Sequence, residues 1–291
     1  IAINPDFQGE GCLQIIITQL IKNAFEQGIS HLFLFTKPMY EQMFSDMGFY
    51  TITETDDMLL MENRKNGILQ YLREEAKKLP AYEGSSIGSI VMNANPFTCG
   101  HQYLVETAAK ACDYLHVFVL STDSSEFPSD VRLKLVEQGC AHLPNVFVHG
   151  SSDYLISHAT FPDYFLKDKA AATEKAAVLD LQIFGTYFKD AFHITGRFVG
   201  EEPFSLITRA YNEQMKKILP SFDIEVTEIP RCQKDNTIIS ATFVRQKFLE
   251  GEYSLLKEFV PPSTYNYLIS PAGKELRNSL LAKETISGAS L

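Results

Sequence analysis

Thr98, Gly100 and His101 stand where an apolar run, Ile90-Val91-Met92, gives way to a helical pattern through the polar, proline-containing turn Asn93-Ala94-Asn95-Pro96-Phe97. A helix start presents backbone N–H groups without intrahelical partners and a partial positive charge, which makes such a turn a seat for a polyphosphate. Thr98 and His101 can donate to one anion from either side, and a side chain at position 100 would stand between the backbone and a bound phosphate. Taken alone, Thr98 also reads as a simple N-cap and His101 as an incidental imidazole.

A second helix start far along the chain, Ile239-Ser240-Ala241-Thr242-Phe243-Val244-Arg245, sets two hydroxyls and an arginine at similar spacing. Ser240 and Thr242 serve equally as caps. Arg245, one turn into the helix, can fold back onto phosphate oxygens, and its bland alternative is a surface salt bridge.

With both segments in view, the chain resembles the nucleotidyltransferase superfamily, whose motifs read (His or Thr)-x-Gly-His and Ile-Ser-Ser-Thr-x-x-Arg, and within it the citrate lyase ligase family. The similarity runs through 88–98, through Ala159-Thr160-Phe161-Pro162-Asp163-Tyr164-Phe165-Leu166-Lys167-Asp168 and through Gly200-Glu201-Glu202-Pro203-Phe204, and covers 88–268. Two positions depart from the superfamily pattern: Thr98 stands where many members carry histidine, and Ala241 stands where a second serine would supply another phosphate donor.

The resemblance implies an ATP-dependent acetate ligase. ATP and acetate give acetyl adenylate and pyrophosphate, the thiol prosthetic group of the citrate lyase acyl carrier protein takes the acetyl group, and AMP leaves. It assigns His101 and Thr98 to the transferred phosphate, and Ser240, Thr242 and Arg245 to the β and γ phosphates. Asn93, Phe97, Gly100 and Arg197 go to the nucleotide, and Lys167 to the acetate. Mg2+ bridging the phosphates needs no dedicated protein cage, so no protein metal ligand is expected. Two other readings stay open. One is a nucleotidyltransferase of the phosphopantetheine adenylyltransferase type, and the other is a non-catalytic module that docks a carrier protein.

Two further cations carry alternatives of their own. Lys167 lies among aromatic and apolar neighbours, where it either faces an incoming anion or is solvated. Arg132 opens the helical pattern after 123–128 and reads as a phosphate cation or as an exposed residue. Cys140-x-His142 and the pair Cys112 and His116 lack third and fourth ligands at zinc spacing. Neither a Gly-x-Ser-x-Gly elbow nor a Gly-x-x-x-x-Gly-Lys-Ser/Thr loop occurs, which argues against α/β-hydrolase and P-loop chemistry.

The elements that must position these residues follow from periodicity. Apolar strand-like runs at 87–92, 115–120, 146–148, 191–195 and 224–228 alternate with helical patterns at 100–111, 129–141, 170–189 and 204–218. That alternation predicts a doubly wound parallel α/β sheet whose ligand crevice lies at the carboxyl ends of the strands, with Arg197 just past one such end. Upstream, a strand ending near 4, a turn at 5–11 and a helix carrying Leu13, Ile16, Ile17, Leu20 and Ile21 precede a strand at 31–36, a helix at 38–46 and a strand at 49–62. This stretch resembles the second half of a Gcn5-related acetyltransferase fold, with Gln8-x-x-Gly11 as the start of its pyrophosphate loop, although Leu13 stands where that loop has Gly or Ala. The expected division is a partial acetyltransferase-like domain at 1–62, a linker helix at 63–86, the ligase domain at 87–268 and a helical tail at 269–291.

Composition sets the outer limits. The 291 residues, 45% hydrophobic and 21% charged, suffice for one large domain or two ordinary ones. A formal net charge of −10 disfavours nonspecific attraction to nucleic acid or anionic membrane, and an acidic carrier protein would need a local basic patch to dock. Five scattered cysteines without a Cys-x-x-Cys pair, no apolar run near the ~20 residues that span a bilayer, and no leader pattern predict a cytoplasmic protein. The chain opens at Ile1 rather than Met, which suggests that it is part of a longer natural chain.

Overall fold

The computed structural model describes residues 4–7, 9, 11–81, 86–121, 125–150, 154–155, 169–202, 205–234 and 237–288. Two compact units divide the chain, 1–74 and 75–291.

In the first unit α1 (Cys12–Glu26) follows Gly11, whose φ of 74° is a left-handed conformation that suits glycine. Leu13, Ile17 and Ile21 lie one helical face apart, and they pack on the buried Phe44, Phe49, Leu59 and Met61. Here β1 (Phe33–Thr36) and β2 (Tyr50–Glu54) flank β3 (Leu59–Glu62) in an antiparallel sheet, with α2 (Glu41–Ser45) between the first two strands in sequence. The single strand expected at 49–62 is therefore a hairpin. Thr55 closes it, since its N–H donates to the Met58 carbonyl at 2.8 Å and its hydroxyl accepts from Met58 N–H at 3.1 Å, and Asp56 and Asp57 suit the turn between. The division between units falls within α3 (Gly67–Ala76). Gln8 lies outside the described residues.

The second unit is built on five parallel strands, β4 (Ile87–Met92), β5 (Tyr114–Val119), β6 (Val146–Gly150), β7 (Gly196–Gly200) and β8 (Glu225–Ile229), in the spatial order β6-β5-β4-β7-β8. The chain steps outward from β4 to β6 and returns to β7 on the other side of β4. The connections on either side of that point diverge and leave a crevice at the carboxyl ends of β4 and β7. This is the doubly wound α/β architecture that the alternating pattern predicts.

Both faces of the sheet are covered, by different chemistry. Ile90, Met92, Leu115, Val117 and Val119 pack on Val105 and Ala108 of α4 (Cys99–Lys110) and on Leu135, Val136 and Cys140 of α5 (Ser129–Cys140). The opposite side of β5 carries His116 and Phe118 against Phe184, Phe188 and Phe192. Those three phenylalanines recur every four residues, and neighbouring rings stack at 5.7 and 6.2 Å. Such spacing is helical. The chain accordingly runs from α6 (Lys169–Ile183) through a π-helical turn at Phe184–Phe188 into α7 (Lys189–Phe192), which stops where His193 adopts φ 53°. The strand expected at 191–195 instead begins at Gly196 and places Arg197 as its second residue, inside the sheet.

Beyond β7 come α8 (Leu206–Ile218), β8, and a two-stranded ribbon of β9 (Gln233–Lys234) and β10 (Thr237–Ile238). Then α9 (Ala241–Glu250), α10 (Tyr253–Leu256), α11 (Pro262–Ile269) and α12 (Pro271–Gly288) gather around Phe127, Val244, Phe248 and Leu268. No helix among the described residues is long and apolar enough to cross a membrane.

Candidate active site

The first motif forms α4's opening turn. Thr98 is the N-cap, with extended backbone, and its Oγ1 accepts from His101 N–H at 3.3 Å. His101 answers from the third helical position: its Nδ1 lies 3.1 Å from Thr98 N and 3.0 Å from Thr98 Oγ1. This is a capping box in which an imidazole replaces the usual carboxylate or amide. Because Nδ1 accepts from a backbone N–H, the ring proton resides on Nε2, and no protein group among the described residues accepts it. Burial, and then the positive charge of Arg231, push the His101 pKa down to about 4, so the ring is a neutral donor near pH 7. Phe97 stacks on it, with ring centroids 5.9 Å apart and planes 15° from parallel.

The second motif begins α9. Ser240 is its N-cap, and its Oγ accepts from Phe243 N–H at 3.1 Å. The two helix starts touch. A Cβ on Gly100 would stand 3.1 Å from the Ile239 carbonyl oxygen, tighter than ordinary packing, so this glycine serves the approach of the second motif as well as any ligand. Arg245 makes another tie by donating from Nη1 to the Asn95 carbonyl at 2.7 Å. Its Nε sits 3.1 Å from a Glu126 carboxylate oxygen, and its Nη2 donates to Thr242 Oγ1 at 3.4 Å.

Each helix start leaves its first-turn N–H groups without intrahelical acceptors. In α4, Cys99 N–H reaches the Phe259 carbonyl at 2.9 Å and His101 N–H the Thr98 hydroxyl, which leaves Gly100. In α9, Phe243 N–H is capped by Ser240, which leaves Ala241 and Thr242. Among the described residues nothing accepts from these three.

Both starts open on one cavity of about 310 Å³ at the crevice between β4 and β7. Its lining includes Gly100, His101, Ile239 and Ala241 from the two motifs, together with Asp180, Arg197 and Tyr211. Tyr211 donates its hydroxyl to Asp180, and its pKa is raised well above the usual phenol range by burial and by that carboxylate. Asn212 donates to the Gly200 carbonyl at 3.1 Å, and Arg231 pairs with Glu202 at the rim. Arg197 is 3% exposed, and its guanidinium lies 4.5 Å over the Phe184 ring.

The structure thus gathers Asn93, Thr98, Gly100, His101 and Arg197 on the wall of one cavity, and it sets Ser240, Thr242 and Arg245 at the adjoining helix start. Phe97 is not on the cavity wall: its ring is buried in the core cluster and stacks on the His101 imidazole. Arg132 is neither a phosphate cation nor exposed. It is fully buried and donates to the carbonyls of Phe127, Asn93 and Leu120 and to the Asn93 side chain at 2.6–3.0 Å, pinning the β4–α4 loop to both ends of the β5–α5 connection behind the site. Lys167 and the 159–168 segment lie outside the described residues, as do Pro203 and Phe204.

The cavity wall also carries polar residues to which the sequence assigns no role, among them Asp180, Glu202, Tyr211, Asn212 and Arg231. A signal exists for each. Arg231 follows a parallel strand's carboxyl end, where crevice residues belong, and Glu202 sits two residues past another. Asp180, Tyr211 and Asn212 are polar residues at helical spacing from Ala176, Ala177 and Met215, on faces that are otherwise apolar.

A family model described as the citrate lyase ligase C-terminal domain matches residues 87–268. A citrate (pro-3S)-lyase ligase of Klebsiella pneumoniae is 43% identical over 280 residues, 94% of this chain and 81% of that protein. One of Escherichia coli strain K12 is 42% identical over 274 residues, 92% of this chain and 77% of that protein. Among solved structures, a bifunctional NMN adenylyltransferase/ADP ribose pyrophosphatase of Francisella tularensis gives a TM-score of 0.45 at 16% identity, covering 69% of this chain and 53% of that one.

Proposed function

The chain belongs to the citrate lyase ligase family, and on that footing we propose that it activates acetate with ATP and acetylates the thiol prosthetic group of the citrate lyase acyl carrier protein. One observation carries this reading. Two helix N-termini, whose Gly100 and Ala241 N–H groups have no acceptor among the described residues, and a neutral histidine donor line a single cavity.

In the first half-reaction an acetate oxygen attacks the α-phosphorus of ATP. The new P–O bond forms as the bond to the β-phosphate bridge breaks, and pyrophosphate leaves with the electron pair. Negative charge grows on the α-phosphate oxygens and on the leaving group, where donors fixed in advance lower the barrier more than they stabilise the ground state. His101 Nε2–H and Thr98 take the transferred phosphate, and the Gly100 N–H lies beside them. Ser240, Thr242 and Arg245 take the β and γ phosphates, assisted by the Ala241 and Thr242 N–H groups at α9's positive end. A neutral imidazole suits this task, since it donates a hydrogen bond without giving up its proton.

In the second half-reaction the carrier thiol attacks the acetyl carbon. A C–S bond forms, the C–O bond to AMP breaks, AMP leaves as the phosphate anion, and the thiol proton passes to solvent. Magnesium bound with ATP would supply neutralisation of the polyphosphate charge. The carboxylates of the described cavity wall, Asp180 and Glu202, are engaged by Tyr211 and Arg231, an arrangement compatible with an ion held by phosphate and water. We place the whole of this chemistry in 87–268, assign the piece at 1–62 to carrier docking or solubility, and take the cytoplasm as the site of action.

Incubating the chain with ATP, magnesium and a panel of carboxylic acids tests the reading through pyrophosphate release. Release that depends on acetate and stays at background with phosphopantetheine supports it. Release with phosphopantetheine alone would mark a nucleotidyltransferase, and none with any acceptor a non-catalytic module.

A further inference from the structure

Arg197 occupies a position that parallel sheets normally give to valine or isoleucine: the interior of β7, hydrogen-bonded to β4 on one side and β8 on the other. Buried charges are ordinarily paired, because removing them from water without compensation is costly. Among the described residues the Arg197 Nε and Nη1 have no hydrogen-bond acceptor, and the Phe184 ring covers one face of the guanidinium. Other charged groups of the wall are engaged: Asp180 receives the Tyr211 hydroxyl, and Arg231 pairs with Glu202 at the rim. The chain therefore holds a cation, with donors to spare, in the wall of the cavity that carries His101.

Its surroundings specify the anion. Ala176 and Ala177 of α6 and Met215 of α8, all nearly inaccessible, line the same cavity and give it an apolar stretch of wall on the two helices that carry Asp180 and Tyr211. Asp180 and Tyr211 interact electrostatically with Arg197, so a second negative charge beside the guanidinium would meet the Asp180 carboxylate. One cation, one nearby carboxylate and apolar walls suit a short monocarboxylate better than a phosphate. The α-phosphate has its own donors at the α4 and α9 starts.

We propose that Arg197, rather than binding the nucleotide, seats the carboxylate of the acid substrate, and that Ala176, Ala177 and Met215 limit its length. Arg197 would hold the acid with its alkyl end against α6 and α8 and leave one carboxylate oxygen free for the α-phosphorus. This rests on the acid-activating reaction proposed above.

The test separates the two acceptor sites kinetically in the full chain. Arg197→Met should raise the KM for acetate by about 10- to 150-fold, the range expected for a lost charged hydrogen bond, while the KM for ATP stays within about threefold. Should that variant not fold, Arg197→Lys is read in its place, with the same asymmetry between acetate and ATP. Met215→Ala should move the preference from acetate toward propionate and butyrate. A raised KM for ATP with an unchanged KM for acetate would return Arg197 to the nucleotide and overturn the proposal. An unaltered acid preference in Met215→Ala would overturn the length limit. If the unmodified chain releases no pyrophosphate with any carboxylic acid, the activating reaction itself is wrong; if it does and only the Arg197 result fails, the subsite alone is wrong.

Discussion

His101 has two jobs that a single alanine substitution would confound, and the structure indicates how to separate them. Its Nε2–H is the donor that nothing among the described residues accepts, and loss of one fixed donor to a developing oxyanion typically lowers turnover by about 10²- to 10³-fold. Its Nδ1 closes the capping box by accepting from Thr98 N–H. In His101→Ala the Thr98 hydroxyl still caps the backbone N–H of residue 101, so only half the box is lost, a cost of about 1 kcal/mol. For a unit of this size that corresponds to a Tm lower by about 2–4 °C. His101→Gln divides the effects, because a glutamine at the third helical position reaches back to the cap as in ordinary capping boxes while its amide stands where no imidazole N–H would. Acetate-dependent pyrophosphate release should fall by about 10²-fold or more in the alanine variant and remain well below the parent in the glutamine variant, whose Tm recovers. If activity instead returned in step with Tm, His101 would be a cap and not a phosphate donor. The parent enzyme adds a check through pH. With its pKa near 4, His101 stays neutral from pH 6 to 8, so an acid limb with a midpoint near 6.5 that vanished in His101→Gln would also refute the argument.

Arg132→Met should destabilise the second unit by about 3–5 kcal/mol in urea unfolding, because it strips donors from the carbonyls of Asn93, Leu120 and Phe127; a loss under 1 kcal/mol would deny it the pinning role. Gly100→Ala should leave Tm nearly unchanged and slow turnover by at least about tenfold, as the new methyl pushes the Ile239 carbonyl and with it the start of α9, and full activity would show that the two motifs need not abut. Arg245→Lys should raise the KM for ATP by about tenfold or more, since one ammonium cannot serve Asn95, Thr242 and a phosphate together; unchanged ATP kinetics would remove Arg245 from the site. Stability should fall with acidification between about pH 6.5 and 4. His101, His116 and His149 have folded pKa values of about 4, 3 and 4, chiefly through burial, so the unfolded chain binds more protons in that window and each histidine adds a slope of at most about 1.4 kcal/mol per pH unit. A flat denaturant midpoint from pH 7 to 4.5 would contradict those environments.

The sheet and the two helix starts were legible because each rests on a local signal. Parallel strands buried on both faces read as continuous apolar runs, and Thr98 and Ser240 are cap residues set before helical periodicity. The misplaced strand had a local cause too. Phe192 and Ile194 beside small residues look like β-sheet sequence, and only the four-residue recurrence of Phe184, Phe188 and Phe192 reveals the helix that precedes β7. That error carried Arg197 from inside a strand to beyond one, and so concealed the strangest residue of the fold. A charge within a central strand is visible in sequence only when the strand's bounds are right.

The remaining gaps are of a different kind, because pairing between distant segments leaves no trace in spacing. Arg132 and Arg197 look alike as single arginines after or within apolar stretches. One spends its donors on three loop carbonyls, and the other spends none on any described residue. Arg231 and Arg245 likewise differ by what their partners leave over, a carboxylate at the rim in one case and a carbonyl of the first motif in the other. Motifs identify where an anion can be received, since helix starts are local. Which cation receives which anion is a property of the assembled cavity, and there the decisive quantity is the hydrogen-bonding capacity that folding leaves unused.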